Sequence, residues 1–162
     1  MKTLTIIIFL LLTLLTTQNS FAFSSTNNTD KSLGIIIGDP VGFTFKYWMD
    51  RGFLKGDDHA IDTAIGWKLV NDVGIELKSD YVVHKYGLIP VEVGKAPVYY
   101  GLGLRLLAGD KSNIGVRIPV GVNYLFEDEP FDAFLEIAPL LAIYPETDID
   151  LSLAIGLRYR FR

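Results

Sequence analysis

The side chains of this sequence that could do chemistry are mostly charged, and they sit at alternate positions between large apolar residues. Lys46, Lys68, Lys78, Arg105, Arg117, Arg158 and Arg160 form one such set, with Asp62, Glu76, Asp80, Asp132 and Glu136 as its acidic counterpart. Gathered in one place, these groups could pair into a salt-bridge network or line a polar path for small ions. Groups suited to covalent or metal chemistry are sparse. The chain has no cysteine, which excludes thiol catalysis and disulfides, and its only histidines are His59 and His84. Two histidines with carboxylates scattered along the chain give no metal-ligand spacing, and Asp57-Asp58-His59 reads as a solvated turn. No glycine loop of the phosphate-binding kind is present. We expect no cofactor, no metal and no catalytic residue. The formal net charge of −4 does not suggest nucleic-acid binding.

The elements that carry these charges are strands. Eight strand-like runs follow one another at 33–38, 42–49, 59–69, 73–86, 98–108, 113–126, 131–143 and 150–161, with turn residues at the junctions. The last run alternates strictly: Leu151, Leu153, Ile155, Leu157, Tyr159 and Phe161 on one face, Ser152, Ala154, Gly156, Arg158 and Arg160 on the other. The other long runs behave alike. Ile114, Val116, Ile118, Val120, Val122, Tyr124 and Phe126 oppose Asn113, Gly115, Arg117, Pro119, Gly121 and Asn123. This predicts an all-β fold, an eight-stranded antiparallel up-and-down barrel closed by the last strand. No segment sustains a helical period.

Bulk decides which face turns inward. The apolar face carries far more large side chains than an eight-stranded interior can hold, since that interior is just filled by side chains. The other face is rich in glycine and alanine, with charges of both signs. The apolar face therefore points outward, into lipid, and the charged face inward: a transmembrane barrel. With the carboxyl terminus on the periplasmic side, Tyr47, Tyr81, Tyr100, Tyr124, Phe126, Phe131, Tyr159 and Phe161 fall into one band near the inner interface, where aromatic rings prefer to lie. Phe43 and Trp67 are the best members of an upper band. Pro119 and Pro139 fall at nearly the same height and predict a local bulge or kink, because proline donates nothing to a ladder. A last hairpin centred near Thr147 would set Glu136 opposite Arg158.

Residues 1–22 read as a secretory signal peptide: a basic start, an apolar run of about twelve residues and a small-residue cut after Ala22, too short for a spanning helix of roughly 20. Polar residues 23–32 read as a flexible lead-in, and 33–162 as the barrel.

Gly156-Leu157-Arg158-Tyr159-Arg160-Phe161 resembles the carboxy-terminal assembly signal of bacterial outer-membrane proteins, carried by Gly156, Tyr159 and Phe161, with Arg162 as a departure. Over about residues 33–161 the chain resembles the small eight-stranded outer-membrane barrels of the OmpA transmembrane-domain and OmpX type. That resemblance implies a bacterial outer-membrane location. It also implies outer-membrane lipid, periplasmic chaperones and the barrel-assembly machinery as partners, and a monomer. For function the resemblance says little, because one barrel fold carries many functions; the inward charges of both signs in a narrow barrel predict a salt-bridged, closed interior and a structural, membrane-integrity role. The alternatives are a narrow channel for ions or small solutes and a lipid A-modifying enzyme. The enzyme would need a lipid-facing histidine and serine near the outer rim, whereas His59 and His84 both fall at the opposite end. Against the family pattern, the outer connections here are short and the links at 50–58 and 87–96 are the longer ones.

Overall fold

The computed structural model describes residues 31–49, 58–69, 73–109 and 111–161. The signal-peptide segment and most of the lead-in lie outside these residues. The described chain forms nine β segments: β1 (Lys31–Gly38), β2 (Val41–Met49), β3 (Asp58–Lys68), β4 (Gly74–Lys85), β5 (Val98–Gly109), β6 (Asn113–Arg117), β7 (Val120–Leu125), β8 (Phe131–Tyr144) and β9 (Asp148–Phe161). β1 begins at Lys31, two residues before the alternation suggests.

Every segment is antiparallel to its neighbours, and the pairings run round a closed ring. β9 closes it against β1, from Lys31↔Phe161 up to Gly38↔Ala154. β6 and β7 are two pieces of one strand. Arg117 pairs with Leu140 and Val120 with Ile137, so the register against β8 is unchanged across the gap. The interruption falls at Ile118-Pro119, where the Pro119 carbonyl still accepts from Gly101 N–H and Ile118 N–H still donates to Pro139. Eight strands therefore make the barrel, with the missing donor of Pro119 marking the break. Pro139 does not interrupt β8. A register shift does occur nearby, between Ile114 and Gly115.

The alternation maps onto burial. Leu102 and Leu104 on one row of β5 are 60% and 59% exposed, while Arg105 on the other row is 3% exposed. The same contrast recurs on β3, β4, β8 and β9. Large apolar side chains are exposed on strands all round the ring, whereas contiguous apolar patches on water-soluble monomers rarely exceed a few hundred Å². The eight aromatics of the expected band all lie on outward rows, in the halves of their strands nearer the end that carries the Lys31 and Phe161 termini of β1 and β9. Within it Phe131 meets Tyr159 and Tyr124 meets Phe126 edge-on, with ring centroids 5.5 and 4.8 Å apart. Phe43 and Trp67 are exposed towards the other end.

The inward face has more apolar filling than charge and glycine alone would give. Ile36, Val82, Tyr99 and Phe134 pack there with Ala60, Ala64 and Ala154. Two rings lie over glycines of the neighbouring strand: Tyr99 over its partner Gly121, and Phe134 over Gly156. A Cβ on Gly121 would stand 2.5 Å from Tyr99 Cζ, closer than packed atoms allow.

Candidate functional site: the charged interior

The interior row of each strand carries its charges at fixed heights, and the strand register decides which ones meet. Locally the pairing is often unfavourable. Asp62 on β3 lies directly opposite Asp80 on β4, and Lys78 on β4 directly opposite Arg105 on β5. Like charges in such positions repel. Relief comes from strands further round the ring, through the lumen.

Three tiers result. In the tier nearest the 39–40 and 145–147 turns, Lys68 Nζ donates to Asp39 at 2.9 Å and to Asp150 at 2.8 Å. Arg105 stands 3.8 Å from both Glu76 and Asp150 and donates to Asn113 Oδ1 at 2.7 Å. In the middle tier Glu136 collects three donors. Lys78 Nζ lies at 3.0 Å and an Arg117 nitrogen at 2.7 Å from one oxygen, and Tyr99 Oη at 2.9 Å from the other. Arg117 also donates to Asp80 at 3.1 Å, and so joins β6 to β4 and β8. In the tier nearest the chain ends, Arg158 lies 2.9 Å from Asp62 and 3.8 Å from Asp132, with its guanidinium 3.9 Å from the centre of the Phe134 ring. Lys46 lies 3.5 Å from Asp62, 3.1 Å from His84 Nε2 and 3.2 Å from Asn123 Oδ1. Asn123 is on β7, four strands away in a ring of eight, so that bond crosses the full lumen.

Eleven of the twelve charges picked out by alternation are buried inside, and each has an opposite charge within 4 Å. Arg160 is the twelfth. It is half-buried at the rim and donates to the carbonyl oxygens of Phe126 and Glu129, bracing the β7–β8 turn. The expected Glu136–Arg158 pair is also corrected. The last hairpin pairs Phe131 with Tyr159 and Ala142 with Asp148, which centres it on Pro145. Arg158 then faces Asp132, and Glu136 faces Ala154. The shift of four residues keeps every inward side chain inward, so alternation could not detect it.

Tyr99, Asn123, Asp39 and Asp150 belong to the network without having been singled out as charges. For Tyr99 a signal was present: it shares its row with Gly101, Gly103 and Arg105. His84 is inside, its ring 4.3 Å from that of Trp48 and 5.4 Å from that of Tyr99. His59 bonds Tyr81 Oη through Nδ1 at 2.7 Å. Each histidine is thus engaged by an ammonium or a phenol, and neither contact makes the Ser–His–acid arrangement of a hydrolase.

An all-antiparallel ring of eight strands, apolar without and charged within, defines the class of small transmembrane barrels. No protein-family model matches the chain, and no curated protein sequence matches it either. Among solved structures, it is similar to the N-terminal β-barrel domain of Pseudomonas aeruginosa OprF, with a TM-score of 0.51 and 14% identity over 85% of this chain and 100% of that one. It also matches Ail, the attachment invasion locus protein of Yersinia pestis, with a TM-score of 0.40 and 13% identity over 83% and 100% of the two chains. The chain has the fold of the small eight-stranded outer-membrane barrels of the OmpA transmembrane-domain and OmpX type.

Proposed function

We propose that this chain is a bacterial outer-membrane barrel with a structural, membrane-integrity role and an interior closed by its own ion pairs. One observation carries the reading. Opposite charges meet across the lumen as well as between neighbouring strands, where Lys46 faces Asp62 and Asp132 faces Arg158. Lys78 on β4 meets Glu136 on β8, Arg158 on β9 meets Asp62 on β3, and Lys68 on β3 meets Asp150 on β9. An ion moving along the axis would have to break these contacts tier by tier. A buried charge deprived of its partner is costly, so the tiers resist opening. The apolar exterior supports lipid as the surrounding medium. Insertion by barrel-assembly machinery, with periplasmic chaperones, and a monomeric state belong to the same reading.

Planar-bilayer recording tests the closed interior. The wild-type barrel is expected to show no stepwise conductance, and Glu136→Gln or Arg158→Gln to leave the baseline unchanged or raise it. Ion-selective steps in the wild type that either substitution abolishes would replace this reading with a narrow ion path. The non-enzymatic reading has its own check. Lipid A from a strain lacking the protein should give an unchanged mass spectrum, and an altered acylation pattern would point instead to a lipid-modifying enzyme.

A further inference from the structure

The link between β4 and β5 was expected only to be long. Its composition and path say more. Residues 86–97 read Tyr-Gly-Leu-Ile-Pro-Val-Glu-Val-Gly-Lys-Ala-Pro, with Glu92 and Lys95 the only charges. The segment forms no strand, yet it exposes Leu88 (64%) and Val93 (56%) strongly, and Tyr86, Ile89 and Val91 to a lesser degree. Five apolar side chains exposed together on one short link form a patch of the kind that marks an interaction or membrane surface.

The segment is also fastened in place. Lys95 exchanges two backbone hydrogen bonds with Leu125, at 3.0 and 2.7 Å, in continuation of the β5–β7 register. Tyr124 Oη donates to the Val93 carbonyl at 2.9 Å, and Gly94 N–H donates to Glu127 at 3.3 Å. Tyr124 is on the outward, lipid-facing row of β7. Val93 is therefore held against the outer wall, beside the aromatic band, rather than over the lumen. Ala96, which alternation places on that same outward row of β5, is buried. Lys95 Nζ lies 5.9 Å from the centre of the Tyr86 ring, which ties the start of the segment to its end.

We propose that residues 86–95 are a membrane-interface anchor, whose Leu88, Ile89, Val91 and Val93 side chains enter the lipid surface at the end of the barrel that carries the aromatic band. The occupant follows from continuity. The segment extends the wall that lipid already covers, and its fixed point, Tyr124, is part of that wall. Depth follows from the backbone. An irregular segment cannot lie in the hydrocarbon core, where its peptide groups would go unpaired. It can lie among headgroups, where water reaches the backbone and apolar side chains point inward. The anchor widens the apolar belt on the β4–β5–β7 side and opposes tilting of the barrel.

This inference rests on the lipid-facing reading of the wall, and one experiment separates the two. The chain lacks cysteine, so single cysteines can be introduced at Leu88, Val93, Leu102 and Asp128 and spin-labelled in the full barrel reconstituted in lipid vesicles. Collision with oxygen reports lipid, and collision with a water-soluble nickel chelate reports water. Leu102 on the wall should favour oxygen strongly, and Asp128 in the exposed β7–β8 turn should favour the chelate. Leu88 and Val93 are expected to favour oxygen several-fold over Asp128, at a shallower depth than Leu102. If both match Asp128 while Leu102 favours oxygen, the anchor is wrong and the barrel stands. If Leu102 also favours the chelate, the lipid-facing wall falls, and the anchor with it.

Discussion

Replacing Glu136 with alanine is expected to destabilise the barrel by about 3–5 kcal/mol, the usual cost of removing one partner from a buried ion pair. Glu136 is the acceptor for Lys78, Arg117 and Tyr99 at once. Without it Arg117 keeps Asp80. Lys78, however, loses its carboxylate partner and is left facing Arg105 across the β4–β5 ladder. Urea unfolding in lipid vesicles, followed by tryptophan fluorescence, measures the loss. A loss below about 1 kcal/mol would show that water already screens this tier and that the carboxylate does not hold it together. The partner experiment is Lys78→Met with Glu136→Gln. Removing both members of a buried pair is often far less costly than removing one. The double variant should therefore lose less than the sum of the singles, with a coupling between about 0.5 and 3 kcal/mol.

That prediction depends on contacts the sequence could not supply, although it supplied the face on which they lie. Alternation alone placed Lys46, Asp62, Lys78, Arg117 and Arg158 inside, because a two-residue period in a half-buried strand has only one consistent solution. It could not pair them. A barrel register can slide by an even number of residues without moving any side chain to the other face, which is why Glu136 was matched with Arg158 when Asp132 is the true neighbour. Contacts through the lumen depend on shear and closure, which no local pattern encodes. Ile35-Ile36-Ile37 was opaque for a different reason: both faces are apolar there, and only the pairing with Gly42 and Gly156 turns Ile36 inward. Arg160 has the parity of Arg158 but lies at the rim, where it donates to backbone carbonyls.

Gly156 carries the second large effect, and it decides between two accounts of one residue. As the first member of a resemblance to an assembly signal, its loss should impair delivery to the membrane. In the folded barrel it has another task. It is the cross-strand partner of Phe134, whose ring lies over it, and Arg158 in turn stacks on that ring at 3.9 Å. A Cβ at position 156 would run into the ring and would stand 2.6 Å from the Ile35 carbonyl oxygen. Overpacking of this kind costs about 1–3 kcal/mol, and the displaced ring would also disturb the Arg158–Asp62 pair. Gly156→Ala is therefore expected to fold less stably by about 1–3 kcal/mol in purified lipid vesicles, with no assembly machinery present. Adding Phe134→Leu should restore part of the loss by relieving the ring contact, while the approach to Ile35 remains. If Gly156→Ala folds in vesicles as well as the wild type but fails to reach the membrane in cells, the glycine serves recognition rather than packing. If the vesicle defect appears and Phe134→Leu relieves it, the glycine is there to let an aromatic ring cross the strand, and the charged tier beside it depends on that ring.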